Sequence, residues 1–254
     1  MAGLIAITCG ACVGLTLGLI GGGGSIVATP MLLYLVGMPP HMALGTGALA
    51  VSANAFFNFF GHWRAGNVRW AEAALFAATG VAGALIGSTI GKAIDGQRLI
   101  LLFALMMIVI GLAMLRPRKR GGSVAAPLTL MSGARVGVIG LCVGLLSGLF
   151  GIGGGFLIVP GLILATRMPM INAIGTSLFA VGAFGLATAL NYAASGFVDW
   201  LVAAEFIGGG LVGGYLGLKA ACHLSEQKST LNRMFAALVF VVAFYIIWRS
   251  THQA

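Results

Sequence analysis

Two glycine-rich segments have the residue types and spacing that could bind an anion. Gly21–Ser25 is four glycines and a serine, and Gly151–Gly155 has glycine at every position except Ile152. Each precedes a short apolar segment, 25–37 or 156–166, that predicts a short helix. The first turn of a helix has free N–H groups and the positive end of the helix dipole, which suit an anion. Two such ends meeting near the midplane of a membrane would form a mostly uncharged anion site.

Close packing between helices is the alternative explanation of these glycines, since small residues let membrane helices approach. A run of four glycines is, however, a poor helix interior, which favours a break in the chain. The same segments superficially resemble nucleotide-binding loops. Neither follows a strand, and Gly-Lys-Ser/Thr is absent from the sequence, so we predict no nucleotide cofactor.

Polar residues recur every four positions after each short segment. The first set is Thr46, Ala50, Asn54 and Asn58, and the second is Thr176, Ala180, Phe184 and Thr188, with Ser177 and Asn191 nearby. An asparagine in a membrane helix is costly unless it is hydrogen-bonded or wet. The pattern therefore predicts either a substrate-facing stripe or hydrogen bonds between helices. Thr46 and Thr176 are favoured for substrate because each follows a glycine.

Two acidic residues lie near the start of later apolar segments. Acids within a membrane are functional candidates, so either could carry a proton. Glu72 is two residues from Trp70, which predicts an interfacial location. Glu205 should lie deeper and is the proton-coupling candidate. His41 follows a Pro-Pro pair and is interpreted as a loop residue.

The composition requires a membrane environment. Hydrophobic residues are 59% of the 254 residues and charged residues only 7%, whereas soluble domains have about 25% charged residues. The segment Met1–Ile20 lacks a basic start and is interpreted as the first helix, not as a signal peptide. Cys9 and Cys12 have redox-motif spacing but are interpreted as packing residues.

The chain is an ungapped duplication with an offset of 130 residues. The aligned positions keep Pro30 with Pro160, Trp70 with Trp200, and the glycine runs with each other. Each copy contains five apolar stretches, 3–20, 25–37, 42–61, 71–90 and 99–115 in the first copy, and 134–149, 156–166, 173–194, 200–220 and 234–248 in the second. The second stretch of each copy is too short to cross about 30 Å of hydrocarbon.

The positions of the basic residues predict how the two copies are oriented. If the first two stretches form a hairpin, the copies are inverted, and eleven of the 14 Lys and Arg residues lie on the side of the cluster at Arg116–Arg120. If they form one broken crossing, the copies are parallel and only eight do. Basic residues favour the cytoplasmic side. We therefore predict inverted repeats, glycine-broken hairpins near the midplane, and a cytoplasmic basic cluster that does not bind nucleic acid.

The repeated Gly-Leu-x-x-Gly-x-x-Gly-x-Gly-Gly-x-x-x-x-x-Pro, followed in each copy by Met-Pro and Gly-Thr, resembles the sulfite exporter TauE/SafE family over nearly the whole chain. The first copy departs at Ser25, where the second has Gly155. The resemblance implies transport of small sulfur-containing or organic anions, such as sulfite, thiosulfate or sulfonates, across the bacterial inner membrane. It leaves open the substrate, the direction, proton coupling and the oligomeric state.

These arguments predict an all-α polytopic membrane protein, with membrane repeats at 1–116 and 134–254 and a basic linker at 117–133. Each repeat has four to five membrane helices or half-helices. The predicted substrate-binding residues are Gly22, Gly23, Gly24, Ser25, Thr46, Asn54, Gly153, Gly154, Gly155, Thr176 and Ser177. No metal site is predicted. An anion channel, a non-transporting membrane partner and an intramembrane enzyme are the alternatives; scattered acids and the lack of paired histidines argue against the enzyme.

Overall fold

The computed structural model describes residues 2–20, 25–115, 130–151, 155–166 and 168–224. These residues form helices joined by short turns, and no strand occurs among them. The helices are α1 (Ala2–Ile20), α2 (Ala28–Tyr34), α3 (Pro40–Arg64), α4 (Trp70–Ala93), α5 (Gly96–Leu115), α6 (Leu130–Phe150), α7 (Gly155–Thr166), α8 (Met170–Ala193) and α9 (Trp200–Leu224). The predicted all-α fold is confirmed.

Five of the described helices, α3, α4, α6, α8 and α9, are long and apolar enough to cross a membrane. In α3 and α8, 72% of the most apolar part is buried, against 39–44% in the other three. Helices α3 and α8 are therefore the centre of the bundle. Large apolar side chains such as Ile86, Leu201 and Val212 are exposed on the outer helices, as expected for surfaces in contact with lipid.

The short helices lie where the sequence predicts them. Helix α2 follows a 3₁₀ turn at 25–27, and α7 begins at Gly155. Helix α6 begins at Leu130, within the range predicted for the linker. The domain limits stay predictions, and the fifth stretch of the second repeat lies outside the described residues.

Proline and glycine set the limits of the two central helices. Pro39 precedes α3 and Pro169 precedes α8, and neither can donate the N–H that an upstream helical turn would need. After each helix the chain turns at a glycine with positive φ, Gly66 at +71° and Gly196 at +75°. This left-handed conformation is the usual way of ending a helix, and it costs glycine little.

Packing is organised between the repeats. Helix α1 packs along α9, and α6 packs along α4, so the first helix of each repeat contacts the fourth helix of the other. At equivalent points of these two contacts, a Cβ on Gly14 would collide with the carbonyl of Gly210, and one on Gly144 with that of Gly80. Main chains this close require glycine, because any side chain would have to separate the helices.

The order of contacts between α3 and α8 shows that they run in opposite directions. A Cβ on Gly185 would lie 3.0 Å from the carbonyl oxygen of Ala48, and the ring centroids of Phe179 and Phe56 are 6.4 Å apart. Residue numbers therefore rise along α3 as they fall along α8.

The two central helices cross at equivalent positions. The hydroxyl of Ser52 donates a 2.7 Å hydrogen bond to the carbonyl of Gly182, which is 130 residues further along the chain. Ser52 and Gly182 are equivalent positions in the two copies of the duplicated sequence. The crossing at Ser52 and Gly182 thus marks the centre of the duplicated structure.

Candidate functional site

The first residue of the second glycine segment, Gly151, lies against α3. Gly151 has a φ of +60° and is buried. A Cβ at this position would lie 2.6 Å from the Cβ of Leu44 and 2.9 Å from its Cα. Both the backbone conformation and the lack of space therefore require glycine here. Leu44 is eight residues from the crossing at Ser52, or about 12 Å along the helix axis.

Only part of the predicted anion site lies among the described residues. Gly22, Gly23, Gly24, Gly153 and Gly154 lie outside them. Ser25 and Gly155 are buried at the starts of the two short helical segments. Both residues therefore lie in first turns of helix, as the sequence predicts. Anion binding by them stays a prediction.

Thr46 and Thr176 make equivalent hydrogen bonds between the repeats. The N–H of Asp199 donates to Oγ1 of Thr46 at 3.0 Å, and the N–H of Arg69 donates to Oγ1 of Thr176 at 3.1 Å. Both threonines are fully buried. Each acceptor satisfies a main-chain donor just before α9 or α4, one of the groups that a helix leaves unpaired at its start. The polar stripes predicted either substrate contact or hydrogen bonds between helices, and Thr46 and Thr176 make hydrogen bonds to the other repeat.

The glycine before each threonine explains the Gly-Thr pair. A Cβ on Gly175 would lie 2.8 Å from the carbonyl oxygen of Asn67, and one on Gly45 would collide with the carbonyl of Phe197. Asn67 and Phe197 are equivalent positions in the two turns before α4 and α9. We call each Gly-Thr pair with the turn it contacts an inter-repeat clamp. Sequence reasoning missed the clamps, although the 130-residue offset contained the signal.

The side chain of Asn54 is buried without a hydrogen-bond partner. Its exposed fraction is 0%, and neither Oδ1 nor Nδ2 is paired. The amide lies directly against Gly210 of α9. In the second repeat, Phe184 occupies the equivalent position against Gly80 and stacks on Phe76 at 5.9 Å. The two halves of the protein are therefore chemically different at this position.

The polar stripe of α3 extends beyond the residues that the sequence singled out. His62, four residues after Asn58, is buried, and its Nδ1 has no partner. Tyr192, its equivalent on α8, is also buried with an unpaired hydroxyl. Continuing the four-residue period by one step would have found both residues.

Ser177 has a local role in the structure. Its hydroxyl donates a 2.8 Å hydrogen bond to the carbonyl of Ile174 in its own helix. This bond satisfies the hydroxyl without a second helix or a ligand. Substrate contact by Ser177 stays a prediction.

The two glutamates differ from each other in burial. Glu72 is 3% exposed and forms an ion pair with Arg69 at 2.6 Å. Glu205 is partly exposed near the start of α9, next to Gly3 of α1. Glu72 is the more buried acid because the ion pair neutralises it. His41, interpreted as a loop residue, lies in the first turn of α3, with Nε2 3.2 Å from the carbonyl oxygen of Ile94.

One polar cluster lies where α4 and α8 end. The ammonium group of Lys92 donates to the main-chain oxygen of Asn191 at 3.0 Å, to its Oδ1 at 2.7 Å and to the hydroxyl of Ser195 at 2.9 Å. The amide of Asn191 donates to Ser88 at 2.6 Å. At the equivalent positions of the other repeat the chain has no such set, since Cys222 replaces Lys92 and Gly61 replaces Asn191. Among the described residues, no three His, Cys, Asp or Glu side chains lie close enough together to hold a metal ion.

Comparisons with known proteins agree with the architecture. The family model described as "Sulfite exporter TauE/SafE" matches residues 6–246. A "Probable membrane transporter protein" of Xylella fastidiosa (strain 9a5c) is 53% identical over 249 residues, covering 97% of this chain and 95% of that protein. The "Probable membrane transporter protein YunE" of Bacillus subtilis is 28% identical over 268 residues, covering 97% and 95%. No solved structure matches the chain.

The match extends from the first helix to the last predicted apolar stretch, so it includes both glycine segments and both clamps. The matches cover 95% of each of these relatives, and both are named as probable membrane transporter proteins. With its apolar helices, the protein is a multi-pass membrane transporter, in keeping with the predicted bacterial inner membrane. The chain belongs to the sulfite exporter TauE/SafE family.

Proposed function

We propose that the protein moves a small sulfur-containing or organic anion, such as sulfite, thiosulfate or a sulfonate, across the membrane. The observation that carries the proposal is the pair of short helical segments, each beginning directly after a glycine segment in a chain of this family. Free N–H groups at such starts bind oxyanions without a basic side chain. The same groups would release the anion more easily than a buried arginine would.

The binding residues in this proposal are the glycines and Ser25 at the two breaks. Thr46 and Thr176 contribute by holding the turns before α9 and α4. Substrate contact by Asn54 stays a prediction from the sequence. Because α7 has 12 residues and α2 has seven, the break before α7 supplies the better-developed helix start. Broken helices beside a buried cavity are the usual site in transporters built from repeats.

We also propose that the two repeats are inverted in the membrane. The opposite directions of α3 and α8, which are repeat equivalents, support this orientation, since parallel repeats would place equivalent helices in the same direction. Cysteines at Ala65 and Ser195, equivalent and exposed positions, test it in a variant without the native cysteines. Inverted repeats predict that a membrane-impermeant thiol reagent added outside cells labels only one of the two. Equal labelling of both would favour parallel repeats.

Flux measurements in proteoliposomes test the anion proposal. We expect saturable uptake of radiolabelled sulfite or thiosulfate by the wild type and its loss in Gly153→Leu, where the bulky side chain occupies the break. Gly208→Leu is the control, because a Cβ on Gly208 of α9 meets no atom within 4 Å. Normal flux through Gly153→Leu would contradict the role of the break. Currents that do not saturate would instead indicate a channel.

A further inference from the structure

Three polar side chains form a file along one face of α3. Asn54, Asn58 and His62 are spaced by four residues, and their exposed fractions are 0%, 2% and 7%. Side chains at this spacing lie above one another on a helix. Eight residues of helix correspond to about 12 Å. The file therefore begins two residues from the crossing at Ser52 and ends in the last turn of α3.

The unpaired atoms of this file include both donors and acceptors. The amide of Asn58 donates to the carbonyl of Asn54 at 2.9 Å, which leaves Asn58 Oδ1, both polar atoms of the Asn54 side chain and Nδ1 of His62 without a partner. An unpaired buried polar group costs about 1–3 kcal/mol. An anion would face two carbonyl oxygens here, and a cation would face an amide NH₂ group. Water, which donates and accepts, fits the set.

The second repeat does not continue this file. The equivalent positions on α8 are Phe184, Thr188 and Tyr192, and Phe184 is fully buried where Asn54 stands in the first repeat. Its ring supplies no hydrogen-bonding atom at the position equivalent to Asn54. Among the described residues, the file thus connects the crossing with the end of the bundle that bears Arg64, and Phe184 interrupts the equivalent face of α8.

Charged groups around His62 do not pair with it. Asn58 lies against Gly214, so His62, four residues later, is level with the turn of α9 that ends at Lys219. Lys219 is exposed, and its Nζ lies 4.6 Å from the centre of the Tyr215 ring. Glu205 lies 13 residues before the part of α9 that is level with His62, which corresponds to about 20 Å along the helix axis. The other described titratable groups on helices that pack against α3 are Cys9 and Cys12 of α1, Tyr34 of α2, Arg98 of α5 and Tyr192 of α8.

We propose that Asn54, Asn58 and His62 hold water during transport and conduct protons, and that His62 is the group that takes up the coupled proton. This inference rests on the proposed anion transport. Histidine is the side chain whose charge changes near neutral pH, and its burial beside a polar file makes that charge sensitive to hydration. We assign the role predicted for Glu205 to His62, because Glu205 is partly exposed and lies next to Gly3 of α1, outside the polar file of α3.

The test separates coupling from anion movement. Proteoliposomes containing a trapped pH-sensitive dye report proton entry, and radiolabelled sulfite or thiosulfate reports both accumulation driven by a pH gradient and counterflow exchange at equal pH. For His62→Gln we expect loss of gradient-driven accumulation and of anion-linked acidification, with counterflow retained. Asn58→Leu should show the same separation, because it interrupts the file without removing the titratable group. Tyr192→Phe, the change at the equivalent position, is the control and should behave as wild type.

Three results would overturn the inference. Wild-type accumulation in His62→Gln would show that the proton uses another group. If both His62→Gln and Asn58→Leu lost counterflow as well as gradient-driven accumulation, the file would belong to the anion path. A wild type that exchanges anions but ignores the pH gradient would remove proton coupling itself. Absence of any exchange by the wild type would instead contradict the proposed anion transport.

Discussion

The inter-repeat clamps can be tested by removing their acceptor hydroxyls. In Thr46→Val the shape of the fully buried side chain is nearly kept, but the N–H of the partly buried Asp199 loses its acceptor. Leaving such a donor unpaired costs about 1–3 kcal/mol. Thr176→Val should lose a similar amount, because the N–H of Arg69 is left in the equivalent situation.

The double variant gives a second magnitude. Thr46 and Thr176 each lie six residues before the crossing on helices that run in opposite directions, so they are about 18 Å apart along the bundle. Changes this far apart usually add. The free energy of unfolding should therefore fall by about 2–6 kcal/mol in the double variant.

Equilibrium unfolding in mixed detergent micelles, followed by the fluorescence of the four tryptophans, measures these losses. Thr46→Ser keeps the acceptor and should stay close to wild type. Thr8→Val is the control, because the hydroxyl of Thr8 is exposed and bonds only to Ile5 in its own helix. Unfolding free energies within about 0.5 kcal/mol of wild type for both valine variants would refute the clamp. A loss of anion affinity at unchanged stability would favour direct substrate contact instead.

Three further changes have defined outcomes. Gly144→Ala should prevent close packing of α6 on α4 and lower the unfolding free energy by about 1–3 kcal/mol in the same assay. Gly137→Ala on the same helix is the control, because its Cβ would meet only a methyl group at 3.6 Å and should have no such effect. Equal losses in the two variants would contradict the packing. Asn54→Leu removes two unpaired polar atoms, so the unfolding free energy should stay unchanged or rise, and a loss above about 1 kcal/mol would show that the amide has a partner. Lys92→Met leaves Oδ1 of Asn191 without its donor and should lower the unfolding free energy by about 1 kcal/mol or more, whereas no change would mean that water replaces the ammonium group.

Much of this protein follows from its sequence. The charged fraction is too small to cover the surface of a soluble protein, so the composition fits a helix bundle surrounded by lipid. The duplication follows from an ungapped register in which Trp70 aligns with Trp200. The starts of α2 and α7 could be predicted because runs of glycine end helices, and prolines at 39 and 169 begin the next ones.

Only the tertiary structure decided what the polar residues do. From the sequence, Thr46 could face a substrate or another helix, and its partner is a main-chain N–H 153 residues away. Such a bond depends on how two repeats pack, which periodicity within one helix does not contain. The same is true of burial. The position of Glu72 near Trp70 indicated an interfacial location, but only the structure shows that its side chain is buried and paired with Arg69.

The sequence alone determined the units of this transporter, because the helix period, the glycine runs and the hydrophobic lengths are local properties of the chain. The tertiary structure decided how the units fit together: which glycines touch which carbonyl groups, why Asn54 and Phe184 differ at equivalent sites, and which polar atoms remain unpaired. Those outcomes depend on contacts between residues more than 100 positions apart, whose distances are set by the packing of α3 against α8 and of each first helix against the other repeat.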